Sequence, residues 1–287
     1  MQPEDEVISI IKHPVVVAAR QSLARSGGRT PPAFLIDGAK MLCCALDAGA
    51  PLETVFFLDP LEGEWAALRD RARRAGRDCH RVSRGVFFRI LGLGYETSAR
   101  VLAVLPRSPS CDVTAGVGPG FCTIVGERIQ DPRNVGVLIR TADAMGLATA
   151  VFSADSADPY CRASVRSTTG SIFRVGLALA ADLPAYLRKL KAAGVRILGT
   201  SASAKASCWQ EDLRGPCALV VGNETAGLSA KTAAACDRIL AIPMYGEAHS
   251  LNVTVAAGIL LYERARQRNA SPTRAGDSDL RFEEGRG

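Results

Sequence analysis

The chain has 287 residues, 47% of them hydrophobic and 6% aromatic, and a formal net charge of +6 at pH 7 that comes mostly from arginine. This length is sufficient for two domains with buried cores, and no stretch supplies the roughly 18 uninterrupted apolar residues of a membrane helix, so we expect no membrane insertion. The nine cysteines form no C-x-x-C pair, which argues against a zinc site and a disulfide framework, and we expect no bound metal.

Residues 1–107 are predicted to form a small α/β domain. Short β-rich runs alternate with helical ones, which predicts strands at 33–36, 54–58 and 101–105 and helices at 39–48 and 64–75. The segment that starts at Gln2 is acidic where a secretory signal would be basic, so we expect the protein to stay in the cytoplasm.

An arginine-rich stretch lies within this domain. Eight arginines and only two acidic residues lie between positions 69 and 89, close to Phe87 and Phe88. Basic residues interleaved with aromatic ones can follow a phosphate backbone and stack on bases. The alternative is a solvated helix face, which the shortage of acidic residues disfavours. The candidate RNA contacts of this stretch are Arg73, Arg74, Arg77 and Arg81.

A second α/β domain is predicted at 121–268, after a linker at 108–120 that is rich in Pro, Gly and Ser. A strand at 121–125, a helix with an apolar stripe from Val135 to Met145 and a strand at 148–152 form a βαβ unit. Further strands are predicted at 195–200, 217–222 and 238–243. Ligands of open parallel sheets bind beyond the carboxyl ends of the strands, where the loops of this domain lie. Residues 269–287 are polar and charged, which predicts a flexible tail.

Three segments of the second domain place polar side chains beside glycine turns. The first segment, 131–142, contains the pattern Asp-Pro-x-Asn-x-Gly-x-x-x-Arg, in which Arg140 lies about 140° from the apolar stripe of the helix. The second segment is 220–229, and the third is 242–256, which contains Ser-Leu-Asn before a helix. A helix start beside Asn134 can receive a phosphate, and Arg140 can hold a second oxygen of the same nucleotide.

In this order, the three segments closely resemble the motifs of the SpoU/TrmH family of RNA 2′-O-ribose methyltransferases, within the SPOUT class. The resemblance implies an α/β fold in which an N-terminal L30e-like RNA-binding domain precedes a SPOUT domain with a parallel sheet and a C-terminal trefoil knot. It also implies S-adenosyl-L-methionine as cofactor, a homodimer, and RNA as partner. We expect the substrate to be 23S rRNA; the alternatives are tRNA, or a non-catalytic RNA-binding protein on the same fold. The resemblance extends to the antibiotic-resistance 23S rRNA methyltransferases of actinomycetes.

The resemblance assigns candidate roles to individual residues. The candidate catalytic residues are Asn134, Arg140, Glu224, Ser250 and Asn252. The candidate cofactor-binding residues are Thr200, Gly222, Asn223, Ile242, Met244, Ser250, Leu251 and Asn252. Two further candidate RNA contacts are Arg133 and Arg166, the latter in a stretch that resembles a family motif of the type R-x-S-x-G.

Three of these residues have alternative roles. Ser250 either fixes the ribose and the methionine end of the cofactor or caps the helix that follows, and the two roles can coexist. Glu224 either satisfies a helix dipole or accepts a hydrogen bond that orients Asn252 or the cofactor. Arg140 either takes the proton of the 2′-hydroxyl, as proposed for the family, or stabilises the developing alkoxide as a cation. A guanidinium scarcely ever deprotonates in proteins, but the sequence does not decide between these two roles.

Overall fold

The computed structural model describes residues 6–24, 30–92 and 98–269, which fold around two β-sheets. The predicted flexible tail, 269–287, lies outside the described residues except for Asn269. The strands are β1 (Val7–Ile8), β2 (Ala33–Asp37), β3 (Thr54–Leu58), β4 (Cys79–Val82), β5 (Val101–Pro106), β6 (Cys122–Gly126), β7 (Thr149–Ser153), β8 (Gly176–Ala180), β9 (Arg196–Thr200), β10 (Ala206–Ser207), β11 (Cys217–Val221) and β12 (Arg238–Ala241). The α-helices are α1 (Pro14–Leu23), α2 (Ala39–Asp47), α3 (Glu64–Arg74), α4 (Arg84–Leu91), α5 (Pro132–Ala144), α6 (Arg162–Thr168), α7 (Leu183–Ala192), α8 (Ala230–Ala235) and α9 (Val253–Asn269).

The first sheet has five strands in the order β1-β4-β3-β5-β2. Strands β1, β4 and β3 are parallel, whereas β5 runs antiparallel to both of its neighbours, β3 and β2. The strands predicted at 33–36, 54–58 and 101–105 are confirmed to within one residue. Strand β4 was not predicted, because its sequence Cys-His-Arg-Val has two polar residues in the middle and forms no apolar run.

The second sheet has seven parallel strands in the order β10-β12-β9-β11-β6-β7-β8. Its central strands are apolar on both faces, as expected for a parallel sheet that is covered by helices on each side. Ile124 of β6 and Leu219 of β11 belong to the cluster that contains α5 and α9 residues. Val125 and Val220, the next residues along, belong to the cluster that contains α7 residues. The parallel α/β sheet predicted for this part of the chain is therefore confirmed.

The connections that leave the carboxyl ends of β6 and β11 run in opposite directions along the second sheet. From β6 the chain enters α5 and continues to β7, whereas from β11 it enters α8 and continues to β12 on the other side of β9. Helix α5 packs against α6 and α9, and α8 packs against α7, so the two connections cover opposite faces. Strands whose connections diverge in this way leave a crevice in which α/β proteins bind ligands.

Helix α5 lies unusually close to α6. A Cβ atom added at Gly136 would lie 2.2 Å from the carbonyl oxygen of Ser164 and 2.6 Å from Cβ of Ser167, so only glycine allows this approach. The glycine of the Asp-Pro-x-Asn-x-Gly pattern is therefore explained by helix packing. None of the helices within the described ranges is both long and apolar enough to cross a membrane.

The segment predicted as a linker packs along the edge of the second sheet. The backbone N–H of Cys111 donates to the carbonyl oxygen of Leu177 at 2.9 Å, and the N–H of Leu179 donates to Ser110 Oγ at 3.2 Å. Val113 is buried beneath the same sheet. Residues 108–120 are thus docked on β8 over part of their length.

Ion pairs join the first sheet and its flanks to the second. The buried Asp37 carboxylate, at the end of β2, accepts a 2.6 Å hydrogen bond from Arg162 Nε at the start of α6. The Arg107 guanidinium binds both carboxylate oxygens of Asp158, at 2.9 and 2.6 Å, and lies 5.0 Å from the centroid of the Tyr160 ring. A bidentate pair of this kind fixes orientation as well as distance.

We expect Asp37→Asn to lower the free energy of unfolding by about 1–3 kcal/mol, because it leaves the partly buried Arg162 without its anion. Urea denaturation of the full chain measures this change. Asp47→Asn is the matched control: Asp47 pairs with Arg71 at 2.5 Å, but both side chains are largely exposed. That variant should change stability by less than about 1 kcal/mol, and equal losses from the two variants would contradict the proposed contribution of the buried pair.

Candidate active site

A cavity of about 590 Å³ opens at the carboxyl ends of β9, β11 and β12. Apolar side chains form much of its wall, and polar groups converge on one side. The lining residues are Thr200, Ser201, Ala202, Val221, Gly222, Asn223, Glu224, Thr225, Ala226, Gly227, Leu228, Ala233, Ile239, Leu240, Ile242, Met244, Ser250, Leu251, Asn252, Val253 and Ala256. All eight candidate cofactor-binding residues are among them, and their role in binding stays a prediction.

The loop after β11 forms a tight turn on the wall of this cavity. Asn223 N donates to Gly227 O at 3.1 Å, and Gly227 N donates back to Asn223 O at 2.9 Å. A Cβ atom at Gly222 would lie 2.3 Å from the carbonyl carbon of Gly227, which explains the glycine. The Asn223 amide also donates to Arg128 O at 2.8 Å, so this loop is tied to the loop after β6.

The start of α5 is capped by the Asp-Pro pair of the first motif. The Asp131 carboxylate accepts a 2.8 Å hydrogen bond from Arg133 N, and Pro132 occupies the first turn, where no N–H is needed. The exposed Arg133 guanidinium also binds Asp131, at 2.9 Å, and this contact holds the pKa of Asp131 below its usual range. The candidate RNA contact Arg133 is therefore already engaged in a local ion pair.

The Glu224 carboxylate connects the loop after β11 to the start of α5. It accepts hydrogen bonds from Asn134 Nδ2 at 2.9 Å, from Gln130 N at 3.2 Å and from Asp131 N at 3.3 Å. Partial burial raises the pKa of Glu224, but these hydrogen bonds outweigh it and leave the pKa below its usual value. The carboxylate is therefore ionised at neutral pH and lies at the start of α5, as the dipole role requires. It accepts from Asn134 and reaches Asn252 only through that residue, so its role in orienting Asn252 or the cofactor stays a prediction.

Asn252 is the residue that caps α9. Its Oδ1 accepts from Thr254 N at 2.8 Å and from Thr254 Oγ1 at 2.7 Å, and its carbonyl oxygen accepts the first helical hydrogen bond, from Ala256 N. The expectation that Ser250 caps this helix is wrong, because the helix begins at Val253 and the cap is the residue just before it.

Asn252 also closes a chain of side chains across the crevice. Its Nδ2 donates to Asn134 Oδ1 at 3.4 Å, while Asn134 Nδ2 donates to Glu224. Three of the five candidate catalytic residues are thus linked in the order Asn252, Asn134, Glu224. Each amide has one orientation in this chain, because a flip of Asn134 would place its oxygen against the carboxylate.

Ser250 and Arg140 stand apart from the hydrogen-bonded chain. Both are exposed, and neither side chain has a hydrogen-bond or ion-pair partner within the described part of the molecule. Ser250 lines the cavity, whereas Arg140 does not. Arg140 lies on α5 about 9 Å along the helix axis from Asn134, at the rise of an α-helix. The structure therefore brings four of the five candidate catalytic residues to one rim and leaves Arg140 outside it.

The other candidate RNA contacts are distributed over the first sheet and the junction. Arg73 and Arg74 lie in the last turn of α3, and Arg77 follows that helix. Arg81, in β4, is paired with Asp59 at 2.5 Å. Arg166 lies on α6 with one nitrogen 3.7 Å from Asp37, at the contact between the two sheets. Arg81 and Arg166 each have a carboxylate nearby, so their charges are partly neutralised within the chain.

Sequence reasoning missed two contributors to the site. The backbone N–H groups of Gln130 and Asp131 hold Glu224, and no sequence signal marks such a long-range contact. The cap at Asp131 could have been predicted, since aspartate directly before proline at a helix start is a standard N-terminal pattern.

The chain is similar in sequence to proteins named as rRNA methyltransferases. Residues 122–262 match the SpoU rRNA Methylase family. A 23S rRNA (uridine(2479)-2′-O)-methyltransferase from Streptomyces viridochromogenes is 32% identical over 247 residues, which cover 84% of this chain and 85% of the relative. RlmB of Xanthomonas axonopodis pv. citri, a 23S rRNA (guanosine-2′-O-)-methyltransferase, is 34% identical over 209 residues, or 70% of this chain and 82% of RlmB.

A solved structure extends the likeness to the whole fold. The SpoU methyltransferase AviRb from Streptomyces viridochromogenes, in complex with the cofactor AdoMet, superposes with a TM-score of 0.76 at 28% identity, covering 90% of this chain and 99% of AviRb. The likeness therefore spans both sheets.

We expect Gly222→Ala to destabilise the protein by at least about 1–3 kcal/mol, because the new Cβ atom overlaps the backbone of Gly227 and forces the turn away from β11. Thermal denaturation measures the loss. Gly215→Ala is the matched control: Gly215 lies just before the same strand, with nothing within 4 Å of an added Cβ atom. A variant at Gly222 as stable as the one at Gly215 would show that the turn is not constrained by packing.

Proposed function

The chain belongs to the SpoU rRNA methylase family, and from this membership we propose that it transfers a methyl group from S-adenosyl-L-methionine to a ribose 2′-hydroxyl of 23S rRNA. The observation that carries the proposal is the cavity at the strand ends, with Glu224, Asn134 and Asn252 linked along its rim. Relatives named as 23S rRNA 2′-O-methyltransferases and a neighbour solved with AdoMet support the reaction and the cofactor.

The cavity fits S-adenosylmethionine in size and chemistry. Its apolar wall, with Leu228, Ile239 and Ile242, suits a nucleobase, while the exposed backbone of Thr200 and Gly222 at the strand ends supplies polar groups for a ribose and an amino acid. The ionised Glu224 on the same wall favours a cationic ligand. When bound, the cofactor supplies an electrophilic methyl group on a sulfonium.

The residues on the rim position the ribose for in-line attack. Asn252 and Asn134 are held in single orientations by the chain that ends at Glu224, so the second N–H of each amide meets the incoming nucleotide without reorganisation. The Ser250 hydroxyl, which has no partner within the described residues, donates to or accepts from the ribose. Hydrogen-bonding groups that are already oriented in this way lower the entropic part of the activation free energy.

Arg140 acts as a cation in this proposal. The 2′-hydroxyl loses its proton as it attacks, and a guanidinium near the oxygen stabilises the alkoxide that develops. The proton leaves to a phosphate oxygen or to water, because a guanidinium scarcely ever deprotonates. The absence of an acidic partner for Arg140 within the described residues leaves its charge available for this task.

We further propose a homodimer in which Arg140 of one subunit completes the cavity of the other. Arg140 does not line the cavity of its own chain. The surface near the rim exposes apolar side chains that a second subunit would cover: Leu251 is 37% exposed, Val255 48% and Tyr262 67%. Helices α5 and α9 pack together, so a partner seated on this part of α9 would also meet α5.

The finer architecture of the family is also part of the proposal. We assign 1–107 to an L30e-like RNA-binding domain, 108–120 to the linker, 121–268 to the SPOUT domain and 269–287 to the tail. The exposed Arg74 on α3 supports an RNA-binding role for the first domain. A C-terminal trefoil knot belongs to the proposal through the family resemblance; in this structure α9 packs back near the start of β6, where Arg264 donates to Gly120 O at 2.9 Å.

A ribosomal substrate implies action in the cytoplasm. A methyl group on a 23S rRNA ribose removes a hydrogen-bond donor and adds bulk, which would weaken a drug that binds over that nucleotide. Protection of the ribosome from an antibiotic is therefore the physiological role that we propose; the relative from Streptomyces supports the 23S rRNA ribose as the methylated group.

We expect the purified protein to transfer one labelled methyl group from S-adenosylmethionine to a 23S rRNA transcript. Arg140→Ala should lower this activity by at least about 100-fold, because loss of a group that stabilises a developing oxyanion has an effect of this size. Arg188→Ala is the control, since Arg188 is also an exposed helical arginine but lies on α7. Full activity of Arg140→Ala would refute the assigned role, and failure of the wild type to bind S-adenosylmethionine in calorimetry would refute the methyltransferase proposal.

Mixing two inactive variants tests the shared site. Asn252→Asp keeps a good helix cap but removes the amide that donates to Asn134. If the partner supplies Arg140, dimers formed from Arg140→Ala and Asn252→Asp chains contain one intact site in two. Random pairing makes half of the dimers mixed, so roughly a quarter of wild-type activity should return. No recovery in verified mixed dimers would place Arg140 in the site of its own subunit.

A further inference from the structure

Two exposed aromatic side chains lie beside the cavity and have no role in the reaction described above. Trp209 is 54% exposed and Tyr245 is 85% exposed. Their ring centroids are 6.3 Å apart with an interplanar angle of 24°, so the rings are stacked. Soluble proteins rarely leave adjacent large aromatic rings open to water unless the surface binds something.

Both rings lie on exposed loops and point away from the core. Trp209 lies in a short 3-10 turn, Cys208–Gln210, in which the neighbouring Cys208 is fully buried, and the Ser207 hydroxyl accepts a hydrogen bond from Trp209 N at 3.3 Å. Tyr245 begins a run of six exposed residues, 245–250, that ends at the rim of the cavity. The platform, as we call Trp209 and Tyr245, is thus built on two separate loops.

The platform lies at the same edge of the sheet as the cavity. Strands β10 and β12 are parallel, with Ser207 opposite Ala241, so the residues that follow them, Trp209 and Tyr245 among them, lie together at their carboxyl ends. Met244 lines the cavity, and consecutive Cα atoms are about 3.8 Å apart. The platform therefore adjoins the cavity wall, since Tyr245 directly follows Met244, and it lies on the side from which an RNA strand with one ribose in the cavity would extend.

The charges around the platform are compatible with the binding of a polyanion. Glu211 is bound by Arg196 and Arg238, and Asp212 by Arg214 at 2.9 Å, so both nearby acids are neutralised. Lys205 is exposed and has no partner within the described residues. Glu247, exposed in the loop, is an opposing charge. Neutralised acids beside a free lysine and stacked rings match the features of single-stranded nucleic acid sites.

We propose that Trp209 and Tyr245 stack on an unpaired base next to the methylated nucleotide and thereby select a single-stranded target. This inference rests on the proposed function, since it assigns to the platform the RNA strand whose ribose enters the cavity. An aromatic ring binds a base through its face, so shape and stacking, more than hydrogen bonds, would determine the preference.

Fluorescence reports the contact directly. The chain has two tryptophans, so Trp65→Phe leaves Trp209 as the remaining one. Titration with a short single-stranded oligoadenylate should quench the emission of Trp209, whereas a blunt RNA duplex of the same length should not. Unchanged emission at saturating single strand, or equal quenching by the duplex, would overturn the proposal.

Steady-state kinetics distinguish a stacking role of Tyr245 from a purely structural one. Tyr245→Leu keeps an apolar side chain but removes the π-face, and it should raise the KM for the rRNA transcript about tenfold, the loss of one stacked base, with an unchanged Kd for S-adenosylmethionine. Tyr245→Phe keeps the ring and should behave as wild type. An unchanged KM for Tyr245→Leu overturns the proposal. So does a fall in the dimer fraction that accounts for the loss, which would assign the platform to a second copy of the chain.

The two proposals fail in distinguishable ways. If the wild-type protein binds S-adenosylmethionine but methylates no RNA, the substrate assignment is wrong, while quenching of Trp209 by single-stranded RNA would still be measured. If the wild type methylates rRNA and the Tyr245→Leu variant does so with the same KM, the reaction stands and the platform has no part in it.

Discussion

The rest of the site depends on the hydrogen bonds that the Glu224 carboxylate accepts. It accepts three hydrogen bonds from the start of α5, and one of these comes from Asn134, which in turn faces Asn252 at the start of α9. The three loops belong to three different strand-to-helix connections. Because the carboxylate is ionised and partly shielded, its hydrogen bonds are of the stronger, charge-assisted kind. Without it, two helix starts would be positioned by packing alone.

The scaffold and the chemistry are divided between two environments. Strands β6 and β11 are buried along their whole length, and packing on both faces leaves them little freedom. Four of the candidate catalytic residues, in contrast, lie beyond the strand ends, and the fifth, Arg140, is exposed on α5. Ser250 and Arg140 have no partners within the described residues, which is the state expected of groups whose partner is a substrate. Buried strands thus hold a rim whose Ser250 side chain is left without a partner among the described residues.

Much of this arrangement could be predicted from the sequence, and particular residues show where prediction ends. The apolar runs at 54–58 and 217–222 predicted β3 and β11 to within a residue, because burial on both faces demands continuous apolar sequence. The cap that was considered as one role of Ser250 belongs to Asn252, since serine and asparagine cap helices about equally well and the first helical residue is not visible in the sequence. That Glu224 contacts Asn134, 90 residues away, depends on strand order, which no local pattern reveals.

The spacing of the linked residues along the chain has a consequence for biosynthesis. Asn252 lies 118 residues after Asn134, and the hydrogen-bonded chain needs both. Domains fold from the amino terminus as the chain is made, so the first sheet can form while the cavity still lacks its last wall. A nascent chain emerging from a ribosome can therefore hold a folded first sheet before the cavity is complete, because the last wall of the cavity waits for residues 242–256.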